Sequence, residues 1–151
     1  MLNERAVTDA RHARSSKDAM LYDTNGKPLA QIASFGTKSN HNNHKYAVVG
    51  CGRELEVPGT VAVTLQITEI VVMDGVLFSA VLNSIANGMC EPLIFSGVIK
   101  GNNGSQERVV YRECILSGES DIQNVSTGDV LQRNFNLHCN GKVENKSKLK
   151  I

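Results

Sequence analysis

A chain of 151 residues with a net charge of +1, 41% hydrophobic and 21% charged, is long enough for one domain with a real core and has the balance of a soluble globular protein. Near-neutrality argues against broad, sequence-independent nucleic-acid binding, which needs a concentrated basic surface. No Trp, four Phe and three Tyr argue against a base-stacking platform too.

Residues 1–17 are polar, mixed in charge and arginine-bearing, without an apolar stripe or the apolar core of a secretory leader. An extended or partly helical arm is expected, on a protein made in the cytosol. Ala19–Asp23 reads as a short strand. Asn25-Gly26 after it is the strongest hairpin signal in the chain, since a type I′ turn needs positive φ at both central residues. The returning strand is expected over Pro28–Thr37, with Leu29, Ile32 and Phe35 supplying apolar surface.

Residues 38–56 are polar and then glycine-bearing, and read as a long loop with a brief strand at Tyr46–Val49. Val57–Thr68 is the clearest signal of all. Val57, Gly59, Val61, Val63, Leu65 and Ile67 alternate with Pro58, Thr60, Ala62, Thr64, Gln66 and Thr68. Successive strand side chains point to opposite faces, so this predicts a long strand with one dry face and one hydroxyl-rich face.

The spacing then predicts one helix, opened by Asp74 as N-cap and closed by Gly88, with Leu77, Val81 and Ile85 on its apolar stripe. Strands follow over Glu91–Lys100 and Gln106–Ser117, joined by a turn at 101–105. A last strand over Val130–Cys139 puts Leu131, Phe135, Leu137 and Cys139 inward and Gln132, Asn134, Asn136 and His138 outward. Residues 140–151 read as a basic tail. The fold expected is a single mainly β domain over 1–151, an antiparallel barrel or sandwich flanked by one helix.

Chemistry is sparse. The apolar run at 70–85 is interrupted by Asp74, Gly75, Asn83 and Ser84 and is too short to span a bilayer. Cys51, Cys90, Cys114 and Cys139 are widely spaced and fit free, mostly buried thiols. A zinc site from His41, His44 and Cys51 with His138 or Cys139 lacks finger spacing. No phosphate-binding glycine loop or nucleophile elbow occurs. No catalytic, metal or cofactor residue is assigned, and the chain is not expected to be an enzyme. What remains is hydroxyl and amide surface on long strands, with an arm and a loop able to reach neighbours, a pattern suited to self-assembly.

Element order and the segments GKPLAQIASF, GTVAVTLQIT, ERVVYRECILSG and LQRNFNLHC resemble the tail tube proteins of contractile-tailed phages and phage-like particles. Their fold is similar to that of the haemolysin-coregulated protein of type VI secretion. The resemblance covers residues 18–139 and implies a subunit of rings, six to a ring, stacked into a hollow tube within a virion tail assembled in the host cytoplasm. DNA would be passing cargo, and sheath, baseplate or tail-terminator proteins would be partners. It further implies inter-subunit or inter-ring contacts at Leu2, Arg5, Arg11, Arg14, Asn40, His41, Asn43, His44 and Tyr46, and a lumen lined by Thr60, Thr64 and Gln66. A tube-end ring protein of the same fold, and a small β-barrel module or enzyme using Cys51 and the histidines, are the alternatives.

Overall fold

The computed structural model describes residues 16–149 except Ala30, Met73, Asn102 and Asn103. After a single 3-10 turn at Ser16–Asp18, the described chain forms β1 (Ala19–Tyr22), β2 (Ile32–Tyr46), β3 (Leu55–Ile70), α1 (Val76–Asn87), β4 (Leu93–Lys100), β5 (Gln106–Leu116), β6 (Gln132–Cys139) and β7 (Val143–Ser147). All seven strands belong to one antiparallel sheet in the order β1-β4-β5-β6-β3-β2, with β7 on β5. The expected mainly β fold with one helix is present. The sheet does not close on itself: β1 and β2 form its two ends, and a cleft of about 680 Å³ lies between Met20 and Leu21 on one side and Ser34 and Phe35 on the other.

The core lies on one face of this curled sheet, under α1. Leu65 and Ile67 of β3, Phe135 and Leu137 of β6, Phe95 of β4 and Leu77 of α1 are each 1% exposed or less. Alternation explains it directly, since β3 and β6 place every second residue inward and pair in register, Leu65 with Leu137 and Ile67 with Phe135. Burying side chains of this size contributes about 1.5–3 kcal/mol each.

Several local expectations are corrected. The long strand pairs with a partner where residues 38–56 read as a loop: β2 runs on to Tyr46, and only residues 47–54 connect it to β3. The hydrophilic stretch gave no strand signal because neither face of it is covered. The dry face of β3 is also interrupted. A register shift between Asn42 and His44 falls beside Gly59, where a Cβ would stand 1.8 Å from the Asn42 carbonyl oxygen.

The turn at Asn25-Gly26 is not type I′, since only Gly26 has positive φ, 78°. The Asp23 carboxylate accepts the N–H groups of Asn25 and Lys27, both at 2.9 Å, and shapes the turn instead. Beyond it, among the described residues, only Tyr22–Pro28 and Leu29–Leu21 backbone contacts continue the hairpin, and the strand expected from Pro28 starts at Ile32. The helix N-cap is Gly75, one residue after the expected Asp74, whose carboxylate instead meets Arg133. Gly88 does end the helix, at φ 76°, with its N–H on the Ser84 carbonyl. The basic tail contains strand β7.

Candidate assembly interface

The β2–β3 hairpin divides into a covered part and a bare part. From residue 38 to residue 61 every residue is exposed, whereas Leu65, Ile67 and Glu69 at the root are buried. A strand of 16 residues spans roughly 50 Å, so the bare part extends well clear of the core. It carries Tyr46, Val48, Val49, Leu55, Val57 and Val61 with between 36% and 103% of their surface exposed.

Beyond the β2–β3 backbone ladder itself, what stabilises the bare part within this chain is slight. Lys45 lies 3.9 Å from Glu54 and 4.0 Å from Glu56, exposed pairs worth well under about 1 kcal/mol. Asn43 donates to Glu56 at 3.2 Å and accepts the Gly59 N–H at 3.3 Å, pinning the register shift. A lone two-stranded hairpin is marginal in water. Among the described residues no strand pairs with the outer edge of β2, so a row of backbone donors and acceptors is open there.

The sequence-predicted residues sort by this geometry. Asn40, His41, His44 and Tyr46 lie on the bare part of β2, opposite Ala62, Val61, Val57 and Leu55. His41 Nε2 is 3.4 Å from the Ser39 hydroxyl. Asn43 lies there too, but its amide is spent inside the hairpin. Leu2, Arg5, Arg11 and Arg14 lie outside the described residues. Thr60, Thr64 and Gln66 are exposed on the sheet face away from the core, paired with Asn42, Lys38 and Gly36. On the β6 side Thr64 and Gln66 face His138 and Asn136, and the Thr68 hydroxyl donates to Asn134 at 2.8 Å. None of these strand positions is a carboxylate.

The zinc constellation does not assemble. Cys51 is on the exposed hairpin loop, His41 and His44 are on β2, and Cys139 is in the core with Cys114 as its cross-strand neighbour. Among the described residues no group of three or more His, Cys, Asp and Glu side chains converges. Burial, and the Cys139 thiol beside it, push the Cys114 thiol up to about 12, which makes it unreactive.

A second site was missed from sequence. Glu69 and Arg133 occupy facing, core-directed positions of β3 and β6, 3% and 8% exposed. Arg133 turns its guanidinium to Asp74 at 3.4 Å and over the Phe78 ring at 3.9 Å. The Glu69 carboxyl lies beneath the start of α1, its oxygens 3.7 and 3.8 Å from where a Cβ on Gly75 would be. Among the described residues its Oε1 has no hydrogen-bond partner. Burial raises its pKa, an effect Arg133 only partly offsets. A charge on the inward parity of two otherwise apolar alternations was the available signal.

Among the described residues no helix is long and apolar enough to cross a membrane. No protein-family model and no curated protein sequence matches the chain. Solved structures do share its fold. A chain of the sheath–tube complex of the PVC extracellular contractile injection system, in its extended state, superposes with a TM-score of 0.67 at 12% identity, over 98% of this chain and 100% of that one. A chain of the PVC sheath/tube terminator gives 0.67 at 13% identity, over 89% and 97%. A chain from the tail of the empty GTA particle, refined with C6 symmetry, gives 0.66 at 13% identity, over 89% and 99%.

Proposed function

We propose that this chain is a tail tube subunit, a structural protein whose copies join into rings and whose rings stack into a hollow conduit. The observation that carries this reading is the bare part of the β2–β3 hairpin, a long ribbon that is exposed on both faces and open along its edge. Such a ribbon is completed by backbone pairing and apolar cover from a neighbour. A fold shared with tail components at full length supports the same assignment.

In this reading the rings are sixfold, as in the C6 tail of the GTA particle. The open edge of β2 extends the sheet of the next copy, and Asn40, His41, His44 and Tyr46 lie in the contact. The face bearing Thr60, Thr64 and Gln66 lines the lumen, where hydroxyls and amides beside Lys38 and His138 meet DNA only as passing cargo. Thr60, Thr64, Gln66 and their cross-strand partners include no carboxylate, so this part of the lining is polar rather than acidic. The role is mechanical rather than enzymatic. Sheath, baseplate and terminator proteins are its other partners, and the particle is assembled in the host cytoplasm and ends as a virion tail or phage-like tail.

A second reading, a tube-terminating ring, is favoured by the equal fit to the terminator chain. Electron microscopy of the purified chain over a concentration series separates the two. Long hollow tubes support the tube subunit, single rings support the terminator, and particles of monomer size at high concentration overturn both.

A further inference from the structure

A groove of about 700 Å³ runs between α1 and the segment after the Asp23 turn. Its walls are largely apolar, with Leu29, Ile32, Val76, Ala80, Met89 and Leu93 among them. Its charged lining is acidic in balance: Asp23, Glu69, Asp74 and Glu91 against Lys27. Asp23 is engaged by its own turn and Asp74 by Arg133. Among the described residues, Glu69 is the lining carboxylate that is both buried and left with an unpartnered oxygen. A carboxylate removed from water without a donor is costly, and a charge-assisted hydrogen bond from a cation offsets that cost. The groove therefore fits a segment that is apolar along its length and ends or interrupts in a cation.

The position of the groove says where such a segment can come from. It lies at the end of the sheet where β1 finishes and β4 starts, beside Asp23 and Leu93. The described chain begins and ends at the opposite end of these strands: Ala19 pairs with Ile99, and Ser147 with Arg108. In a head-to-tail stack, the surface with the chain ends of one copy meets the groove surface of the next. Residues 1–15 have this chemistry, with Arg5, Arg11 and Arg14 among apolar Leu2, Val7 and Ala10, and would reach about 50 Å when extended.

We propose that the groove over Glu69 receives an arginine-bearing stretch of residues 1–15 from a neighbouring copy, with a guanidinium donating to the unpartnered Glu69 oxygen. This rests on the assembly reading above and adds the receiving site and its chemistry. It also gives the stack a direction, because the groove and the point where the described chain begins lie at opposite ends of these strands.

The test uses the full-length chain with a photo-crosslinking residue at Asn83 on the groove wall, assembled from equal parts of ¹⁴N- and ¹⁵N-labelled protein. The expected product joins position 83 to a peptide within residues 1–15, with half of the links of mixed isotope. Replacing Arg5, Arg11 and Arg14 by Gln should lower its yield about tenfold, the loss expected for one charge-assisted contact. Glu69→Gln should do the same. Links of one isotope only would mean that the arm folds back on its own copy, and would overturn the proposal. So would links to another segment, or a yield indifferent to both changes. Assembled particles without the link would sink this site alone, whereas a chain that stays monomeric would sink the assembly reading with it.

Discussion

The two parts of β3 have the same chemistry and opposite fates. Val63, Leu65 and Ile67 pair with β6 and lie at or against the core, with Leu65 and Ile67 each 1% exposed. Val57 and Val61, on the same strand, are 47% and 57% exposed because β6 ends at Cys139, opposite Val63. Beyond that point, among the described residues, β3 has only β2 beside it. Alternation specifies that a strand has a face to cover; it does not specify whether the cover comes from the same chain. In the root of the hairpin the cover is β6 and α1, and in the bare part the proposed cover is another copy.

The strongest way to sharpen this contrast is a large-to-small change on each side. Ile67→Ala should destabilise the dilute chain by about 2–5 kcal/mol, read from urea unfolding. Gly59→Ala forces a Cβ into the Asn42 carbonyl and should cost about 1–3 kcal/mol by the same measurement. That loss would fall on the hairpin and should weaken assembly further. Val61→Asn, on the bare part, should stay within about 0.5 kcal/mol for the dilute chain. In assembly it should raise the concentration needed for particles at least about tenfold, as followed by sedimentation. A Val61→Asn chain that assembles like the parent would break the contrast.

Charge gives a smaller and pH-dependent contrast. The folded Glu69 carboxyl holds its proton to higher pH than an unfolded one, so its share of stability is present below the usual value of 4.5 and is lost as pH rises through the raised folded value. Glu144 runs the other way. Lys146 beside it lowers its pKa, so its contribution is present above the usual carboxylate range and is lost as pH falls through the lowered value. Urea midpoints of the dilute chain from roughly pH 4 to pH 7 should therefore decline less in Glu69→Gln than in the parent. Identical slopes would show that the buried carboxyl is not the source.

Where a side chain is covered by its own chain, the sequence carries the pattern. Phe135, Leu137 and Cys139 of β6, Leu65 and Ile67 at the root of β3, Leu77 and Val81 of α1 and the helix stop at Gly88 were readable from period alone, whereas Leu131 and Ile85, expected on the same inward faces, are 37% and 62% exposed. Residues 38–46 were not, since a ribbon with two uncovered faces has no reason to alternate, and SNHNNHKY looks like a loop. The turn at Asn25-Gly26 was misread because the Asp23 carboxylate, two residues earlier, captures the backbone N–H groups that a type I′ turn would arrange differently. For the candidate site, the hydroxyl face at Thr60, Thr64 and Gln66 was legible from parity. Glu69 and Arg133 stood in plain view on the inward parity, and their pairing across β3 and β6 needed the register to be seen.

Amide hydrogen exchange on the two parts of the hairpin, in dilute and in assembled protein, tests the division most directly. Amides over 62–70 should be protected in both states, and those over 38–61 only after assembly. Equal protection of 38–61 in the two states, whether high or low, would contradict a hairpin completed by its neighbour.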